Sequence, residues 1–380
     1  MALLSYKFRL YPNWAQSDAL TGMLGAFCDL YNAGLQQRIE AYRRRRISLR
    51  YLDQASELKA VRAADERLAG YSYSAEQQVL RRLDKAFQAF FRRLKERGGK
   101  AGFPRFQAKS RFDSAEFRVG DGLTIRKSKR LGITGIPGEI KVKWHRLLPE
   151  GAKVGAATLS RSNGKWFACF QIEVETSAVE RAVSTVGIDV GLSSLVALST
   201  GETIPAPQWT KQASKGLRHR QRCLSRRKRF STGWKRAKRA VARHQRKVAA
   251  RRRDFLHKLS RRIVREHSHI ALENLNVKGL ARTMLAKAVH NAAWAQLTAM
   301  LTYKAANAGG SVVLVDPRGT SQTCPECGLI RPKALAERVH RCECGCVLDR
   351  DVAAARIVHY RAFGFGPGYG LRNTSGPVAA

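Results

Sequence analysis

The stretch "VSTVGIDVGLSSLVALSTG", residues 183–201, reads as two apolar strands joined by a tight turn, and Asp189 closes the first of them. An acidic side chain at the end of a buried strand needs a reason in a chain with 70 Lys and Arg against 29 Asp and Glu. Two later stretches repeat the arrangement. "SHIALENLNV" (268–277) is a buried strand ended by Glu273, and "DRDVAAARI" (349–357) opens a helix headed by Asp351. Each carboxylate stands at an element terminus, where side chains from separate elements converge above a sheet.

The order strand-Asp, hairpin strand, helices, strand-Glu, helix-Asp is that of an RNase H-like nuclease core. Carboxylates so arranged suit two Mg²⁺ ions about 4 Å apart, the usual clamp for phosphodiester hydrolysis, because Mg²⁺ prefers hard oxygen ligands. Asp189, Glu273 and Asp351 are therefore the expected catalytic metal ligands. Asp351 is preferred to Asp349 as the third. In a helix beginning here, Asp351, Ala354, Ala355, Val358 and Ala362 fall on one small apolar stripe, whereas Asp349 is placed to cap the first turn.

Between these elements, residues 211–267 hold 23 Lys and Arg against Asp254 and Glu266 alone. Solvated helical faces mix signs, so a run of one sign points to phosphate backbone, and Arg226, Arg227, Lys228 and Arg229 are its densest part. The interleaved Leu217, Leu224, Trp234, Val241, Val248, Phe255, Leu256 and Leu259 predict helices docked on a core by one side. The whole chain carries a formal charge of +41, which calls for a polyanionic partner. No apolar run approaches 18 residues and Met1–Leu10 lacks a signal-peptide pattern, so nucleic acid is expected rather than a membrane, in the cytoplasm and at the nucleoid.

Five of eight cysteines lie between Cys324 and Cys346, while Cys28, Cys169 and Cys223 read as packing residues. Cys324-x2-Cys327 followed by Cys342-x-Cys344 supplies two thiolate pairs for one structural Zn²⁺, since soft sulfur selects zinc and a four-sulfur site leaves no open position. Cys346 offers a competing spacing. Gly328 and Gly345 directly follow Cys327 and Cys344, as a knuckle turn requires, which favours Cys344. The cluster would pin an insertion so that Asp351 enters at a fixed place.

The amino-terminal half has another pattern. "LLSYKFRLYP" (3–12) alternates as a strand, Asn13 and Gln16 form a capping box for a long helix, and further helices follow at 52–67 and 74–97, the last ended by Gly98 and Gly99. From 117 to 175 strands return, with Asn163-Gly164 as a hairpin turn. A mostly β module interrupted by helices is expected. The Gly/Pro-rich tail from Gly364 reads as disordered.

"GIDVGLSSLVALSTG", "ALENLNVKGL", "TSQTCPECG" and "DRDVAAARI" closely resemble the three RuvC motifs and zinc-binding insertion of the TnpB (OrfB) family, transposon-encoded RNA-guided DNA endonucleases whose larger relatives are the type V CRISPR effectors. "KFRLYPNWAQ", "GGKAGFPRFQ" and "RRRDFLHKLSRRIVRE" resemble other parts of that family, and the match covers nearly all of residues 5–360. The resemblance implies an α+β multidomain chain with a barrel-like wedge module (1–12 and 111–182), an inserted helical recognition lobe (13–110), a RuvC core with basic helices (183–317), a zinc-ribbon-like insertion that binds target nucleic acid (318–348), a final RuvC helix (349–363) and a tail (364–380). It further implies a protein that holds a guide RNA from the transposon end and cuts double-stranded DNA beside a short motif; a monomer is expected, though the sequence does not set the oligomeric state. Tyr51 and Gln77 fall where that family places base-reading side chains. The chain departs from the family's Asp-x-Asn-Ala at the third motif, where Asp351-Val352 is followed by Ala353. Two other readings use the same residues: a strand-transferring transposase, because one metal pair serves both nucleophiles, and a nuclease-silent binder, suggested by Ala353.

Overall fold

The computed structural model describes residues 2–96, 101–149, 153–174, 182–207, 209–276, 279, 292–334 and 337–364, and divides into two compact units, residues 1–176 and 177–380. The expected helix end at Gly98–Gly99 and the tail from 365 lie outside the described residues.

In the first unit, strand β1 (Ala2–Tyr11) buries Phe8 and Leu10 while Lys7 and Tyr11 face out. Asn13 then ends the strand by capping α1 (Trp14–Arg45): its side chain accepts from the Gln16 amide at 2.8 Å, and the Gln16 side chain accepts from the Asn13 amide at 3.1 Å. Helix α1 buries Leu20, Leu24, Phe27, Tyr31 and Leu35 at helical spacing. Helices α2 (Tyr51–Ala64), α3 (Glu66–Ala69) and α4 (Tyr73–Lys95) complete the insertion. Ala75, Val79, Leu80 and Leu83 of α4 are buried in the unit's core, Phe87 packs against it, and Phe87, Phe90 and Phe91 cluster with Phe103.

Strands β2 (Ser114–Val119), β3 (Gly122–Ile125), β4 (Leu131–Ile133), β5 (Glu139–Lys143), β6 (Lys153–Ser162) and β7 (Lys165–Val174) close a barrel with β1 in the order β1-β5-β4-β3-β2-β6-β7. The β6–β7 turn is Asn163-Gly164, both at positive φ, 50° and 70°. Strand β1 is the closing element, paired antiparallel with both β5 and β7. The unit is thus an α+β barrel carrying a helical insertion.

The second unit is built on a five-stranded sheet, ordered β10-β9-β8-β11-β12, from β8 (Thr185–Asp189), β9 (Ser194–Leu198), β10 (Thr203–Pro205), β11 (His269–Glu273) and β12 (Ser311–Val315). The opening stretch is the β8–β9 hairpin. Between β10 and β11 run α5 (Trp209–Ser225) and α6 (Thr232–Glu266), and α7 (Trp294–Asn307) precedes β12. After the short pair β13 (Val339–Arg341) and β14 (Val347–Asp349) comes α8 (Arg350–Phe363), with Gly364 as its left-handed cap.

One sheet face packs Val186, Ile188, Ile270 and Leu272 against Leu256, Ile263, Leu297 and Leu301. The other carries α8, and Gly187 makes that approach possible: a Cβ there would lie 2.2 Å from the Ala355 carbonyl oxygen. The basic helices differ from expectation. Helix α6 buries side chains only from Leu256 onward, and Leu217, Leu224, Trp234, Val241 and Val248 are half-buried where α5 and α6 pair. Most of the basic segment is a helical hairpin outside the sheet's core. Of the three scattered cysteines, Cys28 is buried, Cys169 half-buried and Cys223 exposed. No helix among the described residues is long and apolar enough to cross a membrane.

Candidate metal and nucleic-acid sites

Parallel pairing of β8 with β11 sets Ile188 opposite Leu272, so the next residues, Asp189 and Glu273, end neighbouring strands at the same level and on the same face. Helix α8 crosses that face at Gly187, with Ala355 against it. Asp351 lies four residues before Ala355, about 6 Å along a helix, and Asp189 two residues beyond Gly187, about 6.6 Å along a strand. The three carboxylates therefore come to the same end of the sheet, with their oxygens not all within 4.8 Å of one another. Their convergence is visible in their electrostatics. Burial first, then the Glu273 and Asp351 charges, hold the Asp189 carboxyl well above the usual carboxylate range. Burial likewise raises Glu273 and Asp351.

Neighbours fix each group. Thr320, itself buried, donates from Oγ1 to Glu273 Oε1 at 2.6 Å, and Ser194 hydrogen-bonds Asp351. Asp349 accepts from the amides of Asp351 and Val352 at 2.9 and 3.2 Å, so it is the N-cap of α8. That leaves the Asp351 carboxylate turned to the cluster, where its Oδ2 would sit 3.7 Å from a Cβ on Gly191. Ser194, Thr320 and Gly187 escape sequence reading, since hydroxyls and a strand glycine carry no distinguishing pattern. The departure Ala353 is buried.

The cysteine segment folds back on itself. Sγ of Cys324, Cys327, Cys342 and Cys344 lie within 4.8 Å of one another, with 3.7 Å between Cys324 and Cys344 and 3.5 Å between Cys327 and Cys342. Four sulfurs about 2.3 Å from one zinc stand about 3.8 Å apart along a tetrahedron's edges, close to the two separations of 3.7 and 3.5 Å, so the set could hold the ion. Gly328 and Gly345 take φ of 78° and 90°. Although burial opposes it, the amides of Cys327 and Glu326 lower the Cys324 thiol to about 6, while Cys344, despite the Cys346 amide, is pushed up to about 12 by burial and the other thiols. The Cys324 thiolate forms readily, whereas that of Cys344 needs a cation. Cys346 turns the other way, into a buried trio with Cys324 and His340.

Arg226, Arg227, Lys228 and Arg229 are all exposed in the α5–α6 turn. Tyr51, at the start of α2, is half-buried with its ring 4.4 Å from the Arg81 guanidinium, and half-buried Gln77 lies one turn before Arg81 on α4. The structure brings Tyr51 and Gln77 to one neighbourhood through Arg81, a residue sequence reading missed.

The family profile described as "Probable transposase" matches residues 169–284, a "Cas12f1-like, TNB domain" profile matches 294–358, and a "Helix-turn-helix domain" profile matches 1–46, where the structure has β1 and one continuous helix. A Streptomyces pristinaespiralis protein named "Putative RNA-guided DNA endonuclease" is 35% identical over 362 residues, 93% of this chain and 88% of that one. The Escherichia coli K12 protein "Putative RNA-guided DNA endonuclease InsQ" is 29% identical over 94% of this chain and 91% of its own. The fold also resembles the protein in "Cryo-EM structure of the Cas12f1-sgRNA-target DNA complex", with TM-score 0.56 and 14% identity, covering 90% of this chain and 82% of that one. By its 35% identity across nearly the whole length of such a relative, and by the profiles that match 1–46, 169–284 and 294–358, this chain belongs to the TnpB (OrfB) family.

Proposed function

We propose that the protein is an RNA-guided, Mg²⁺-dependent endonuclease that cuts double-stranded DNA at one RuvC-type site formed by Asp189, Glu273 and Asp351. The observation that carries this is that three carboxylates come to the end of a parallel strand pair, each from a different part of a strongly basic chain. The donor set suits Mg²⁺, because the three carboxylates offer hard oxygens and a dication would offset the burial and the repulsion that raise Asp189. When bound, Mg²⁺ supplies charge that stabilises the phosphodiester oxygens during hydrolysis. The chain's own work is placement. The sheet fixes Asp189 and Glu273, the α8 cap fixes Asp351, and Thr320 and Ser194 orient two of the carboxylates. With a single site, the two strands are cut in turn. Zinc at Cys324, Cys327, Cys342 and Cys344 is structural, holding the β13–β14 ribbon from which α8 starts.

The partners that fit are a guide RNA and a DNA duplex. In such a complex the guide's pairing reads most of the sequence and the protein only a short motif beside it. Tyr51 and Gln77 are proposed to read that motif, Gln77 by the two-point contact amides make with adenine. The barrel is proposed as the wedge, α1–α4 as the recognition lobe and the protein as a monomer. The test is purification with its bound RNA, followed by plasmid cleavage in Mg²⁺. RNA of one defined length and linear product are expected; strand joining without cutting would support transposase chemistry, and binding without cutting a silent binder.

The exposed α5–α6 turn is proposed to grip phosphates. Neutralising Arg226, Arg227, Lys228 and Arg229 to Gln should weaken nucleic-acid binding whatever the sequence, and lower the slope of log affinity against log salt by roughly 0.7 to 0.9 per lost contact. A titration with an unchanged slope would remove the turn from the interface.

A further inference from the structure

The same turn displays an aromatic residue that phosphate binding does not explain. Phe230 is 66% exposed, at the tip of the α5–α6 hairpin, and takes φ 68°, a left-handed conformation that disfavours any Cβ and a bulky ring most of all. The turn that imposes this is well bonded. The Arg227 amide donates to the Leu224 carbonyl, the Ser231 amide to the Lys228 carbonyl, each at 3.2 Å, and the Ser231 hydroxyl accepts from the Trp234 amide at 3.1 Å as the cap of α6. Local structure thus holds an apolar ring out in water, in a conformation glycine would adopt more readily.

Its surroundings say what the ring is for. Trp234 lies one turn on, its ring centroid 5.6 Å from that of Phe230 at an interplanar angle of 55°. The Arg229 guanidinium stands 5.0 Å from the Phe230 ring and the Lys238 ammonium 4.9 Å from Trp234. An apolar protein surface placed here would strip water from those cations without replacing it. A strand of nucleic acid meets both demands, offering π-faces to the rings and phosphates to the cations. We propose that Phe230, backed by Trp234, is a stacking platform for an unpaired base whose strand is held by Arg226–Arg229; this rests on the nucleic-acid-binding reading of the turn. Paired bases keep their faces against their neighbours, so the platform favours single strands or frayed ends over blunt duplex.

The experiment uses the full chain and three probes of one sequence: single-stranded RNA and single-stranded DNA, each with 2-aminopurine at successive positions, and the blunt duplex. Phe230→Ala should weaken single-strand binding by about tenfold and abolish the positional 2-aminopurine quenching, with duplex affinity and salt slope unchanged. Phe230→Tyr should restore both. The RNA and DNA arms show which strand supplies the base. Phe230→Gly separates stacking from folding, because glycine suits the left-handed position: it should melt no lower than the parent and still lose the quenching. Parental single-strand affinity in Phe230→Ala, equal losses on duplex, or no rescue by tyrosine would each overturn the platform and leave phosphate binding standing. If the parent chain binds none of the probes at low salt, the nucleic-acid reading of the turn itself falls, and the platform with it.

Discussion

Asp351→Ala should reduce Mg²⁺-dependent DNA cleavage by on the order of 10³-fold, while Asp349→Ala leaves it nearly unchanged and lowers stability by about 1 kcal/mol. The two aspartates are two residues apart and chemically identical, so their environments must make the difference. Asp349 spends its carboxylate on the amides of Asp351 and Val352. Asp351 faces Asp189 at the sheet end, and removing it leaves one side of the proposed metal site without a ligand. Guide RNA retention and melting temperature are the controls, since neither should move with Asp351→Ala. Substitution of the hydroxyls that hold the carboxylates, Thr320→Val and Ser194→Ala, should give intermediate losses of roughly 10- to 100-fold. Parental cleavage by Asp351→Ala would overturn the three-carboxylate reading.

The second large effect is expected at the cysteines. Metal analysis of the purified chain should find about one zinc, retained in Cys346→Ser and lost to near zero in Cys342→Ser and Cys344→Ser. The reasoning is geometric. Cys344 stands in the four-sulfur set, 3.7 Å from Cys324, whereas Cys346 shares a pocket with His340. Chelation should release the ribbon 318–349 and, with it, the anchorage of α8's first turn, so that Mg²⁺-dependent cleavage and protease resistance near Arg338 fall together. Retention of zinc by Cys344→Ser would show that the Cys324, His340 and Cys346 trio holds the ion instead.

Much of the second unit was legible because its signals are local. Strands β8, β9 and β11 announce themselves as short apolar runs, and Asp189 and Glu273 stand out at their ends because acidic residues are scarce here. The Asn13 capping box and the Asn163-Gly164 turn were readable for the same reason: each is a few residues with one favoured backbone. What stayed hidden depends on residues far apart. Closure of the barrel rests on β1 pairing with two strands more than 120 residues away, and on the parallel pairing of β2 with β3, neither of which leaves a trace in periodicity. Gly187 is conspicuous only once α8 lies on it. The basic helices misled by their apolar positions, which read as one docked stripe but serve mostly to pair α5 with α6.

The carboxylate set draws on β8, β11 and α8, and this has a meaning during translation. A ribosome adding about 5–20 residues per second needs roughly ten to thirty seconds to travel from Asp189 to Asp351. The barrel, complete by Val174, precedes that interval, and the arginine-rich hairpin is complete at Glu266, well before its end. On the proposed site, a chain at that stage could gather RNA while still unable to cut. Only when α8 emerges and settles over Gly187 does the third carboxylate of the proposed site arrive, so on that proposal a chain cut short of Asp351 would bind nucleic acid without cutting it.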